Sequence, residues 1–230
     1  MKKIISCILI LFYLLLGGKY SYAQNVNVNP GAGSYPTLKN AFDAINAGTH
    51  TGVITITIVG NTNETASAVL NASGTVAASY TSILINPSGG ASWLISGSIA
   101  GPLIDLKGAD SVTIDGLNTG GNGLTISNTN SGSADSTSAI RFFKDASGNT
   151  VTNCTLLGST SYSFSGVVFF STGTTTGNIA NSILNCNIGP AGANTPVNGI
   201  YSSGSTTAVS NSGTLFNNNI YDYYNSNMGT

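Results

Sequence analysis

Charge is the first thing this chain has little of: seven Lys and Arg and eight Asp and Glu are spread over 230 residues, with no cluster of one sign. Without a basic patch there is no electrostatic footprint for nucleic acid or for an anionic lipid surface. Histidine is limited to His50 and cysteine to Cys7, Cys154 and Cys186, a set that cannot assemble a structural zinc site, and nothing else in the sequence asks for a metal or cofactor. The longest apolar run, Ile4 to Leu16, falls short of the roughly 20 residues that cross a bilayer, so no membrane span is expected. With so little charge, the polar surface has to be made of Ser, Thr, Asn and Gly. Disordered chains share that polarity, but here Val, Ile, Leu and Phe recur at orderly spacing, and the chain is expected to fold.

The amino terminus reads as an export signal. Met1-Lys2-Lys3 is a basic start, Ile4 to Leu16 an apolar core, and Ser21-Tyr22-Ala23 a small-x-small cleavage site ahead of Gln24. Cleavage after Ala23 removes residues 1–23, including Cys7, and gives a secreted or surface-exposed chain. Lys39, Lys107, Arg141 and Lys144 then stand against eight acidic residues, a net charge of −4.

What is abundant is repetition. VTNCTLLG (151–158), ILNCNIGP (183–190) and LFNNNIYD (215–222) bring Cys154, Cys186 and Asn218 into register at a constant interval. The longer segment 166–189 lies over 198–221 without a gap, so that Val168 meets Ile200, Phe169 meets Tyr201, Ile183 meets Leu215 and Ile188 meets Ile220. Residues 139–158 fit the same frame with a shorter link, and 103–117 repeat the strand, turn, strand order. Short β-type runs such as ITITI (54–58), repeated at a period of 20 to 50 residues and separated by Gly or Asn, point to coils that bury their apolar faces only by stacking.

These coils resemble those of the right-handed parallel β-helix, pectin-lyase-like superfamily, as found in exported bacterial surface proteins. The resemblance covers residues 35–230, with 24–34 as a lead-in, and predicts an all-β solenoid. YPTLKNAFDAINAG (35–48) followed by VITITIVGNTNET (53–65) resembles the helix-then-strand opening of such proteins. Leu38, Ala41, Phe42 and Ile45 form one apolar helical stripe, with Thr37 placed to cap its start and Gly48 to end it, so an amphipathic helix is expected to close the first coil. His50 reads as a loop residue after that helix.

From Ile183 to Ile188 the offset is odd, so both can point inward only if the chain bends between them. Asn153, Asn185, Asn217 and Asn218 suit that bend because asparagine tolerates the left-handed conformation, and amide can bond amide from coil to coil. Cys154 and Cys186 then fall at an inward site, either as a disulfide of an exported protein or as a ladder of buried thiols.

The superfamily includes lyases and hydrolases of acidic polysaccharides, which need clustered carboxylates or a base beside Lys or Arg. Only Asp105, Lys107 and Arg141 approach such a cluster, with Arg141 near Asp105 if Ile104 and Ile140 align. The family's paired-aspartate, His-Gly and calcium-lyase arginine motifs are not found. Asp135-Ser136-Thr137 and Asp110-Ser111-Val112 resemble short O-glycosylation acceptors, with Ser136 in the loop judged the more accessible. Thr55 and Thr57 make a T-x-T pair of the kind seen in ice-binding solenoids, expected not to recur on later coils. Tyr221, Tyr223 and Tyr224 offer stacking rings, and no capping segment follows them, so a longer parent protein or end-to-end self-association is expected. The reading is a non-catalytic structural or adhesive module that engages glycans or other surface proteins. The alternative is a polysaccharide lyase or glycoside hydrolase.

Overall fold

The computed structural model describes residues 23–204 and 210–223; the expected export segment before Ala23, and Tyr224, lie outside them. Eighteen strands and one helix follow one another in this span. Strands β1 (Gln24–Val28), β2 (Thr51–Ile58), β5 (Ser79–Pro87), β8 (Val112–Asp115), β11 (Thr150–Thr152), β14 (Asn181–Leu184) and β17 (Gly213–Phe216) form a seven-stranded sheet in that spatial order. A five-stranded sheet holds β4 (Ala68–Asn71), β7 (Pro102–Lys107), β10 (Ser138–Phe143), β13 (Val168–Phe170) and β16 (Ile200–Ser202). A six-stranded sheet holds β3 (Thr62–Glu64), β6 (Ser92–Gly97), β9 (Gly123–Asn128), β12 (Thr155–Gly158), β15 (Asn187–Pro190) and β18 (Asn219–Ile220). Every pairing is parallel, so the chain visits the three sheets in turn and rises by one strand per circuit, as a parallel β-solenoid.

Alternation within each strand makes the core. In β2, Ile54, Ile56 and Ile58 are wholly buried while Thr55 and Thr57 face out. The register carries the inward position up the stack as Val26, Ile56, Ile85, Ile114, Val151 and Ile183. Each such side chain contributes about 1.5–3 kcal/mol by leaving water. Phe142 and Phe170 continue the ladder inside the five-stranded sheet as parallel stacked rings, 4.8 Å between centroids. The repeat alignment from the sequence is the pairing observed: Val168 with Ile200, Phe169 with Tyr201, Ile183 with Leu215 and Ile188 with Ile220.

Helix α1 (Leu38–Asn46) buries the expected stripe completely. Thr37 caps it by accepting from the Asn40 amide, and Gly48 follows with φ 75°. A second device was not foreseen. The buried Glu64 carboxylate accepts from the amides of Leu38 (2.9 Å) and Lys39 (3.0 Å), so an anion from the first coil sits at the positive end of the helix. At the other end Asn46 donates to Val69 O and accepts from Asn71 N, satisfying backbone groups of β4, the outermost strand of its sheet. The helix therefore hides both apolar surface and a strand edge. Gln24–Val28, set ahead of the solenoid by the sequence reading, pairs with β2 as the first strand of the largest sheet. Isolated hydrophobic alternation in NVNV is too short to announce a strand without its partner.

The bends between the seven- and six-stranded sheets are where asparagine was expected: Asn153, Asn185 and Asn217 have φ of 56°, 53° and 53°. Asn217 donates its amide to Asn185 (2.8 Å), and Asn153 donates to Asp115 (2.9 Å), which fills the rung below. Asn218, in the cysteine position of its coil, accepts from the Cys186 amide and donates to Ile183 O. A deeper ladder escaped the sequence reading. Asn149 and Asn181, both wholly buried, bond one another, and Asn149 also holds Val112 N and Ala109 O. Asn178 and Asn211 repeat the arrangement across the loops that follow β13 and β16.

On the outward face of the seven-stranded sheet the T-x-T pair comes back on one later strand, as Thr150 and Thr152 of β11, and does not extend into an array. One rank runs Asn25, Thr55, Leu84, Thr113, Thr150, Ser182, Thr214 through successive strands. The second, two residues further along each strand, runs Asn27, Thr57, Asn86, Asp115, Thr152, Leu184, Phe216. The loops between coils vary in length, so the strand register, not the sequence interval, shows which residues share a rank.

Candidate functional site

The five-stranded sheet turns Asp105, Arg141, Phe169 and Tyr201 outward in one column, because Ile104, Ile140, Val168 and Ile200 occupy successive inward rungs. Ile104 and Ile140 pair directly, and the juxtaposition of Arg141 with Asp105 follows. Arg141 grips the carboxylate with two parallel hydrogen bonds, Nε to Oδ1 at 2.9 Å and Nη2 to Oδ2 at 2.7 Å. Only 15% of the Arg141 side chain and 5% of the Asp105 side chain meet solvent. Bidentate geometry of this kind holds the carboxylate to the guanidinium and, with burial, keeps Asp105 from standing free as a proton acceptor facing the cleft. Lys107 lies two residues along β7, beside Phe143 of the next strand, and takes no part in either ion pair among the described residues.

Aromatic rings surround the pair. The Arg141 guanidinium lies 4.5 Å from the centroid of Phe143, and the Lys144 ammonium 5.4 Å from the same ring. The loop between β12 and β13 brings Tyr162 and Phe164 over the sheet in an edge-to-face pair, and Phe164 meets Tyr201 the same way at 6.4 Å. Phe169 tilts against Tyr201 at 5.8 Å. Arg141, Phe143, Phe164 and Phe169, together with Asp135, Ser136 and Ser171, wall an open cleft of about 370 Å³. Phe164 is 59% exposed and lines the cleft. Sequence reasoning named Asp105, Arg141 and Ser136 but missed Phe143, Phe164 and Tyr201. Tyr162 and Phe164 sit in the polar stretch SYSFSG, whose only signal was two aromatics where a Ser/Gly loop needs none.

Ser136 is not the accessible hydroxyl expected of it. It is 7% exposed, has φ 68°, and its carbonyl accepts from the Ser138 hydroxyl in the cleft wall. Ser111, in the sister motif, is exposed instead. Beside the cleft, Asp145 occupies a nest of donors: the amides of Thr174, Thr175, Thr176 and Gly177 and the hydroxyl of Thr174. Partial burial works against ionisation, but the Thr174 hydroxyl and the amides outweigh it and hold the carboxyl well below the usual carboxylate range.

Cys154 and Cys186 stack in adjacent coils, 1% exposed and unbridged, each thiol directed at a backbone carbonyl, Thr152 O and Leu184 O respectively. Contact with the Cys186 thiol, together with burial, pushes the Cys154 thiol well above its ordinary value. His50 closes a separate chain at the amino-terminal end: Tyr35 Oη lies 2.8 Å from its Nε2, and its Nδ1 lies 3.2 Å from the Gln24 carboxamide oxygen. That oxygen also accepts from Thr51 N, so Nδ1 is the protonated nitrogen and Nε2 accepts from the tyrosine. Among the described residues no three of His, Cys, Asp and Glu converge as metal ligands, and no helix is long and apolar enough to cross a membrane. Compared with protein-family models, curated proteins and solved structures, the chain has no match in any of the three.

Proposed function

We propose that the chain is an exported, non-catalytic solenoid module of a surface or secreted protein, and that it engages glycans through the aromatic cleft beside Arg141. The observation that carries this reading is the exposed Phe164 ring above a floor whose charges are already paired. A pyranose presents C–H groups on one face and hydroxyls at its edge. Phe164 supplies a stacking surface for the former, while the exposed Thr172 and Ser203 and the rim carboxylate of Asp135 supply partners for the latter. With Asp105 held by Arg141, the cleft favours binding over hydrolysis or elimination. Export rests on the tripartite segment ahead of Gln24, and cleavage after Ala23 is checked by sequencing the amino terminus of secreted material.

Exposed Leu215, Phe216 and Ile220 line the outermost edge formed by β17 and β18, and they support end-to-end association of these residues with a further coil. The glycan reading is tested by retention of the mature chain on an immobilised glycan panel. Retention by wild type, lost in Phe164→Ala at unchanged melting temperature, is the expected result. Equal retention of both removes the cleft from the proposal. Release of unsaturated or reducing ends from uronic-acid polymers would replace binding with lyase or hydrolase action.

A further inference from the structure

The amino-terminal end of the solenoid holds a cluster that neither the cleft nor the glycan reading uses. Gln24 opens β1, and its carboxamide oxygen takes two hydrogen bonds at once, from the Thr51 amide at 3.1 Å and from Nδ1 of His50 at 3.2 Å. The imidazole is held in that tautomer from its other side, where Nε2 accepts from the Tyr35 hydroxyl at 2.8 Å and the two rings meet edge to face. Gln24 pairs with Ile54 while its oxygen reaches Thr51, three residues earlier on the parallel strand, so the side chain lies back along β1 toward its own backbone nitrogen. Gln24, Tyr35 and His50 are half-buried, whereas Ala23 is exposed. The carboxamide nitrogen of Gln24 makes no hydrogen bond among the described residues.

We infer, resting on the export reading for the cleavage after Ala23, that Gln24 is a modification site: its freed α-amine closes on its own side chain to give a neutral lactam. The unprotonated amine attacks Cδ, the N–Cδ bond forms, and the carboxamide oxygen takes up negative charge between the Thr51 and His50 N–H groups, which are already aimed at it. The Cδ–Nε2 bond of Gln24 then breaks, a proton passes from the attacking nitrogen to the departing one, and ammonia leaves; nothing is oxidised or reduced. Amine and carboxamide belong to one residue, so the step needs no bimolecular encounter, and two preorganised donors replace water that would otherwise have to reorganise around the oxyanion. The free carboxamide nitrogen has no bond to the protein to give up as it departs. The lactam keeps the oxygen that Thr51 and His50 engage, removes a charged group from the first rung of the seven-stranded sheet, and leaves no amine for an aminopeptidase to grip.

The test starts from a chain released by a protease from an amino-terminal fusion, so that Gln24 is first and unmodified whether or not export cleaves there. Closure is followed as loss of ammonia in the intact mass and loss of α-amine labelling. At neutral pH the folded chain should cyclise about tenfold faster than the same chain held unfolded in guanidinium chloride. His50→Ala should fall to near the unfolded rate at unchanged melting temperature, and His50→Asn, whose carboxamide nitrogen can donate from the position of Nδ1, should recover most of the difference. Equal rates folded and unfolded, or a folded His50→Ala as fast as wild type, overturn the inference. Should His50→Ala fail to fold, Tyr35→Phe replaces it: loss of the hydroxyl that fixes the imidazole tautomer should slow closure, and an unchanged rate overturns the inference as well. Secreted material is read separately, by the mass of its amino-terminal peptide, and a lactam at residue 24 is expected. A first residue other than Gln24 overturns the cleavage, and with it the lactam of the exported protein, whatever the rates of the fusion-derived chain. A first residue that is Gln24 but stays open overturns the inference with the cleavage intact.

Discussion

Asp105 and Arg141 neutralise each other on a face that is otherwise aromatic, and burial sets the cost of separating them. Arg141→Ala leaves a carboxylate 5% exposed and unpaired, and should destabilise the fold by about 3–5 kcal/mol in chemical denaturation. Replacing both, as Asp105→Leu with Arg141→Met, should recover most of that loss, because the desolvation of two ions disappears with their attraction. Asp145 predicts a pH effect of definite sign. Its folded-state pKa is depressed, so the unfolded chain takes up the proton more readily; the stability it contributes is fully present above the ordinary carboxylate value of about 3.9 and is lost as pH falls below it. Melting temperature should therefore drop on acidification in wild type, and Asp145→Asn should melt lower at neutral pH with a flatter acid limb. Cys154, buried with a raised thiol pKa, should resist alkylation at neutral pH until the chain is unfolded.

Helix α1 is the element on which the first coil depends. Phe42→Asp would bury a carboxylate against β-strand side chains with nothing to pair it, at a cost of several kcal/mol, and thermal denaturation is the direct check. The helix was legible from its sequence because stripe, cap and terminating glycine are all local features. The clasp from Glu64 was not, since a carboxylate 26 residues from the amide it accepts from gives no sequence sign of where it will point. The same division holds at the cleft. Asp105 and Arg141 could be placed together because the strand period carries register from coil to coil, whereas Phe164 sits in a link whose length varies and whose path only packing decides. Asn149 and Asn181 stand four residues before Asn153 and Asn185 in both repeats, so the period contained them; asparagine in a turn reads as surface, and its burial rests on carbonyls contributed by another coil.

At the scale of the molecule, three parallel sheets share one interior, and stability is a sum of neighbouring coil interfaces rather than of one closed core. The outermost edge, with Leu215 at 54% and Phe216 at 66% exposure, should bring copies of the solenoid together. Light scattering at tens of micromolar is expected to show species larger than a monomer, and Phe216→Lys should shift them toward the monomer. A monomer in both would mean that the edge is covered within the chain.

Stacking in one direction also dictates how the protein meets force. Tension applied to the carboxyl-terminal end loads the β17 and β18 interfaces before any strand nearer the helix. Their hydrogen bonds lie along the stacking axis and would open as a zipper, one rung after another. The last circuit is 32 residues, the spacing that joins Asn185 to Asn217. Its release frees about 110 Å of contour. The coils would then yield in discrete steps from β18 inward, their sizes following the 29 residues from Ile56 to Ile85 and the 37 from Ile114 to Val151, dissipating work at each, while the coil beneath the helix remains folded until last.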